Sequence, residues 1–123
     1  MSKILASIKN ISEAKILIDS EIDIIDLKDP SNGALGKLKN NDIIDIINFI
    51  GKKKLISSTI GDLPNDAQLI AKNVNDLSNT EVDFIKIGVY EKNYIDTLSK
   101  ITSCKKLIAV FFADKFLPSR EEI

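Results

Sequence analysis

Short apolar, β-branched runs bounded by turn residues recur along the chain, at Lys3–Ser7, Ile22–Lys28, Leu55–Ile60, Asp83–Val89 and Lys106–Phe112. Runs of this length, rich in Ile, Val and Phe, predict strands. Several are apolar at both alternating sets of positions, as in a strand covered on both faces. Between them the spacing changes to a helical one. Ser12–Ser20 opens with a cap candidate and carries Glu13 in its first turn. Asp42–Ile50 places Ile43, Ile46, Ile47 and Ile50 on one side, and Gly51 supplies a stop. Asp66–Leu77 follows Pro64 with a stripe of Leu69, Ile70, Val74 and Leu77, and Lys92–Ile101 has one of Ile95, Leu98 and Ile101.

The order is strand then helix four times, closed by a fifth strand. Such alternation argues for right-handed βαβ units and a parallel sheet. No repeat, low-complexity stretch or linker interrupts residues 1–123, which read as one domain. Two α/β architectures compete. A five-stranded doubly wound sheet is complete at 123 residues, whereas a (β/α)8 barrel needs about 250 residues, so the chain would supply about half. Length favours the open sheet; the polar residues at the strand ends favour the barrel.

In parallel α/β folds reactive groups collect at the carboxyl ends of strands. The second predicted strand finishes Asp26-Leu27-Lys28-Asp29-Pro30, so that alternation puts Ile24, Asp26 and Lys28 on one face. The fourth embeds Lys86 between Ile85 and Ile87, sharing a face with Phe84 and Gly88. A lysine in a central strand loses hydration, which favours the neutral, nucleophilic amine, and a neighbouring cation adds to this. Two such amines at matched strand ends suit imine chemistry, one forming the imine and the other moving protons; the spacing does not say which is which. An isolated strand lysine is otherwise an edge residue that extends its ammonium to water.

Composition narrows the chemistry further. There is no histidine, which excludes Ser-His-Asp, Cys-His and His-built zinc sites. The single cysteine, Cys104, excludes an intrachain disulfide framework and falls in a helix-to-strand connection, away from the lysines. With 17 basic and 18 acidic side chains the balance is that of no general nucleic-acid binder. No apolar run approaches the ~18 residues that span a bilayer, and no leader pattern opens the chain, so a cytoplasmic location is expected. Sixteen of the basic residues are lysines, and Ile and Asn are abundant too, as AT-rich codons would produce, so position rather than number singles out a functional lysine.

Weaker candidates surround the strand ends. Pro30–Gly36 is a glycine-containing loop without the spacing of a Walker or dinucleotide loop. Ser57, Ser58 and Thr59, followed by Gly61-Asp62, line a polar pocket or fill the sheet centre with small side chains. Asp114 is a strand-end acid or a helix cap, and Ser7 at the end of the first strand is ambiguous. No acidic cluster has metal-ligand spacing.

Asp23-Ile24-Ile25-Asp26-Leu27-Lys28-Asp29-Pro30 with Gly33-Ala34-Leu35-Gly36 resembles the DIIDVKNP…GSLG motif of (5-formylfuran-3-yl)methyl phosphate synthases, which make the furan precursor of methanofuran. Ile60-Gly61-Asp62-Leu63-Pro64 is similar to that family's IGDVP, Asp83–Tyr90 to its DYIKVGLY and Ala113-Asp114 to its YAD, so the resemblance covers essentially the whole chain. It implies a (β/α)8 barrel lyase that condenses two molecules of glyceraldehyde 3-phosphate with loss of one phosphate and two waters. It also implies Lys28 as the Schiff-base lysine, Lys86 as the proton acceptor and Asp26 as a substrate-binding or proton-assisting acid. No metal or organic cofactor is implied, because the imine is the electron sink. The departures are a Ser7-Ile8 where the family has Ser-Pro, and a length about half of a whole barrel. Strands six to eight, with an Asp and a Lys of a DTxxK segment, are absent, and Arg120–Ile123 resembles the start of a helix. The expectation is therefore a truncated, partial barrel of about five strands and four helices, with raw sheet edges that a second chain or self-association completes. A non-catalytic half-barrel module and a Schiff-base aldolase for another phosphorylated carbonyl are the alternatives.

Overall fold

Each strand in the structure, a computed structural model, pairs in parallel with the next strand in the sequence. The structure describes residues 2–33 and 35–112, so the expectations for Asp114 and for 120–123 lie outside the described residues. The elements are β1 (Leu5–Ile8), α1 (Ile11–Leu17), β2 (Ile24–Leu27), a single 3-10 turn (Pro30–Asn32), α2 (Asn40–Ile50), β3 (Leu55–Thr59), α3 (Ala67–Ser78), β4 (Phe84–Val89), α4 (Asn93–Leu98) and β5 (Lys106–Phe111).

The sheet order β1-β2-β3-β4-β5 decides between the two architectures. A doubly wound sheet reverses direction at a switch point so that helices cover both faces. Here the sheet never reverses, and right-handed crossovers that always step the same way leave every helix on one face. This is the winding of a partial (β/α)8 barrel. The open sheet favoured by length is thereby corrected: length reports how many strands there are, not the direction in which they are laid down.

The helix-covered face is the core. Ile25, Leu27, Ile56, Ile85, Ile87 and Val89 from the strands pack with Ile43, Ile46, Ile47 and Ile50 of α2 and Ile70, Val74 and Leu77 of α3. The isoleucine spacing of α2 produces this directly, and Gly51 ends the helix at a φ of +59° while its N–H donates to the Ile47 carbonyl. α3 starts where Asp66 accepts the N–H groups of Gln68 and Leu69. α1 begins two residues earlier than a cap at Ser12 implies. Asn10, not Ser12, is the cap, accepting from Glu13 N–H at 2.9 Å while Glu13 accepts from Lys9 N–H at 2.9 Å. α4 is shorter than its stripe, because the N–H groups of Lys100 and Ile101 bond three residues back and tighten the last turn.

The opposite face is built by registered neighbours. Leu5, Ile24 and Leu55 form one row, Ser7, Asp26, Ser57 and Phe84 the next, and Thr59, Lys86 and Ile108 lie nearer the carboxyl ends. No helix covers this face among the described residues, and Leu5 and Leu55 remain 43% and 39% exposed. Its polar row is the place to look for chemistry.

Candidate active site

Asp26 is the hub of that row. Although it lies on the face that no helix covers, it is only 1% exposed, because three neighbouring strands each supply a donor to its carboxylate. Oδ1 accepts from the Ser57 hydroxyl of β3 at 2.6 Å. Oδ2 accepts from the Ser7 hydroxyl of β1 at 3.2 Å and from the Lys86 ammonium of β4 at 3.1 Å. The lysine arrives from two strands away, a lateral distance of about 10 Å at ordinary strand spacing. Its registered partner is Thr59, two residues further along β3 than Ser57, so its flexible stem slants back over β3 to Asp26. Ser57 is small enough to let it pass.

Ser7 and Ser57, ambiguous in the sequence, are thus both ligands of one carboxylate. Ser58, one residue on, points to the helix side and is buried with no hydrogen-bond partner for its hydroxyl among the described residues. Thr59 returns to the open face, where its hydroxyl donates to the Leu35 carbonyl at 2.9 Å and accepts from Gly61 N–H.

Lys28 sits just beyond β2, half-buried, with its N–H donated to the Ile8 carbonyl. It borders a cavity of about 220 Å3 together with Ser7, Lys9 and Glu13. Its ammonium has no hydrogen-bond or ion-pair partner among the described residues, in contrast to that of Lys86. The structure therefore joins Asp26 directly to Lys86 and leaves Lys28 two residues beyond Asp26, bordering a cavity shared with Ser7, whose hydroxyl donates to Asp26. Cys104 is exposed at the other end of the sheet, near the Ser78 carbonyl.

A second polar group above the strand ends joins Asp62, which the sequence marked beside a possible polar pocket, to Tyr90, which it did not single out. The Tyr90 hydroxyl, just after β4, donates to Asp62 Oδ1, and Leu35 N–H donates to Asp62 Oδ2 at 3.3 Å. Gly33, at a φ of +107°, lies so close that a Cβ there would be 2.0 Å from Asp62 Oδ2. Burial first, and then the Asp62 carboxylate, pushes the Tyr90 phenol above the ordinary tyrosine range; burial also raises Tyr94. The available signal was a strand-end acid in one motif and a tyrosine in the next, but nothing in their spacing pairs them.

The sign of the pH effect follows from the folded state holding the Tyr90 proton more tightly than the unfolded chain does. The stability this contributes is fully present below the unfolded value of about 10 and is lost as pH rises beyond it. In an ultraviolet titration of the phenolate band, Asp62→Asn is expected to bring one tyrosine back towards the ordinary range. A tyrosine that already ionises there in the parent would contradict this assignment.

A family model described as 4-HFC-P synthase matches residues 4–120. The chain is similar to the (5-formylfuran-3-yl)methyl phosphate synthase of Methanococcus aeolicus, at 32% identity over 92% of this chain and 53% of that protein. It is similar to the synthases of Methanocaldococcus jannaschii, at 30% over 92% and 53%, and of Methanopyrus kandleri, at 28% over 91% and 48%. The chain spans about half the length of these curated relatives.

Proposed function

The chain belongs to the 4-HFC-P synthase family, and from that premise we propose that it carries the lysine-bearing part of a site that condenses two molecules of glyceraldehyde 3-phosphate. The product is (5-formylfuran-3-yl)methyl phosphate, a precursor in methanofuran biosynthesis, released with one phosphate and two waters. The observation that carries this reading is the buried Asp26 holding the Lys86 ammonium, with Lys28 two residues further along the chain at a cavity that Ser7, a donor to Asp26, also borders.

The roles divide by environment. Lys28 makes no ion pair among the described residues and borders an open cavity, so its amine is the group free to approach the aldehyde carbon. The carbinolamine then expels its oxygen as water to leave the imine, and Lys86 is the acid that delivers the proton. Lys86, now neutral and still oriented by Asp26, takes the proton from the adjacent carbon to form the enamine nucleophile. Asp26 fixes the ammonium and stabilises its return to the charged form. Attack on the second aldehyde, closure through a hydroxyl, and loss of one phosphate and water complete the furan.

The exposed Leu5 and Leu55 on the inner face, and the absence of pairing on the outer edges of β1 and β5 among the described residues, favour completion by further strands. These come from a continuation of the polypeptide, a second copy or another chain. The catalytic step is nevertheless testable in the chain as it stands. Incubation with glyceraldehyde 3-phosphate and borohydride, followed by peptide mapping, is expected to leave a reduced adduct on Lys28. An adduct confined to exposed lysines such as Lys72 would sink the assignment. Loss of phosphate and two waters in the product mass separates the furan route from an aldolase acting on another phosphorylated carbonyl.

A further inference from the structure

The Asp62–Tyr90 pair lies outside the acid–base scheme above, yet it closes over the same face of the sheet. Phe84, Lys86 and Gly88 alternate onto that face along β4, and Gly88 places no side chain above Lys86. The phenol of Tyr90 takes up that space instead. A Cβ on Gly88 would lie 2.6 Å from the Tyr90 hydroxyl oxygen and 2.7 Å from the ring carbon that bears it. The ring is clamped there. It stacks on Phe112 with centroids 5.1 Å apart and planes 7° apart, and meets Tyr94 edge-on at 5.5 Å. Its polar end is held by Asp62, whose other oxygen takes the Leu35 N–H from the loop after β2. One carboxylate therefore ties together the loops that follow β2, β3 and β4, and the tie positions an aromatic wall beside the approach to Lys86.

We propose that Tyr90, held in place by Asp62, is a specificity-determining residue: its ring bounds the space over Gly88 and limits the size of the carbonyl compound that reaches the Lys86 amine. A short, unbranched aldehyde passes beneath the phenol, whereas a bulky or aromatic one requires the ring to swing out, which breaks the hydrogen bond to Asp62. The inference rests on the reading of Lys86 as a working group of the site, but its test needs no turnover.

The test is competitive reductive alkylation of the whole chain with cyanoborohydride and either formaldehyde or benzaldehyde, read lysine by lysine by peptide mass spectrometry. The ratio of benzaldehyde to formaldehyde labelling cancels the intrinsic nucleophilicity of each amine and reports access alone. In the parent this ratio should be lower at Lys86 than at exposed Lys72. Tyr90→Phe keeps the ring and its stacking but frees it from Asp62, and Asp62→Asn weakens the same bond. Both should raise the Lys86 ratio about three- to tenfold, the scale of one hydrogen bond, and leave Lys72 unchanged. General loosening of the fold would instead move the half-buried Lys37 as well, so a rise shared by Lys37 and Lys86 counts against the wall. A Lys86 ratio equal to the parent's in both variants overturns the proposal. Failure of glyceraldehyde 3-phosphate to trap on Lys28, with the ratio still shifting, would remove the proposed reaction and leave the wall standing.

Discussion

Lys86→Met is expected to destabilise the protein by about 3–5 kcal/mol, the usual effect of removing one partner from a buried ion pair. The substitution is nearly isosteric, so packing changes little; the effect comes from the charge left behind. Asp26 is 1% exposed and cannot turn to water, and without the ammonium its Oδ2 keeps only the 3.2 Å bond from Ser7. Its carboxyl would have to be protonated or remain charged in a poorly solvated place. Removing both charges should cost much less. Asp26→Asn combined with Lys86→Met retains an acceptor for the Ser57 hydroxyl and has no net charge to solvate, so the double variant should recover a large part of the loss. Chemical denaturation of the parent, the two single variants and the double variant measures this coupling directly. A cost for Lys86→Met below about 1 kcal/mol would show that the pair behaves as a solvated surface contact.

This hub was only half legible in the chain. Period-two alternation placed Asp26 and Lys86 each on a definite face, because Asp26 stands between Ile25 and Leu27 and Lys86 between Ile85 and Ile87, all of which face the helices. What alternation cannot supply is register. Asp26 and Lys86 are 60 residues apart, and whether they meet depends on β3 lying between them with Ser57 beside Asp26 and Thr59 beside Lys86. The order of the sheet was equally hidden. Both candidate architectures use the same local βαβ units, and only the direction of successive crossovers separates them. Ser7 and Ser57 were ambiguous for a related reason, since a small residue that fills a sheet centre and one that donates to a buried carboxylate look alike until the carboxylate is in place. The Asp62–Tyr90 tie is a contact between loops, and neither periodicity nor motif spacing carries loop conformation. α2, by contrast, was readable almost residue by residue: Ile43, Ile46, Ile47 and Ile50 are all buried, and Gly51 terminates it.

Lys86→Arg should separate the chemistry from the stability. The guanidinium keeps the positive charge and can hold the Asp26 carboxylate, so Lys86→Arg should retain much of the stability that Lys86→Met loses. An arginine, however, remains protonated throughout the working range and cannot cycle a proton as an amine does. If Lys86 takes the proton from the carbon adjacent to the imine, Lys86→Arg should still reach the borohydride-trappable adduct on Lys28, only more slowly, because solvent must then supply the proton that releases water from the carbinolamine. It should then exchange that carbon-bound hydrogen with deuterated solvent about 10²–10⁴-fold more slowly than the parent, the range for loss of a positioned acid–base group. Lys28→Ala should lose the adduct and the exchange together, because no imine is formed to acidify the hydrogen. Exchange is read by mass spectrometry of recovered glyceraldehyde 3-phosphate, which requires only one substrate molecule and none of the later condensation steps. A Lys86→Arg protein that exchanges at the parental rate would assign the proton transfer to another group and reduce Lys86 to an electrostatic partner of Asp26. An adduct lost in Lys86→Arg but kept in Lys28→Ala would exchange the roles of the two lysines.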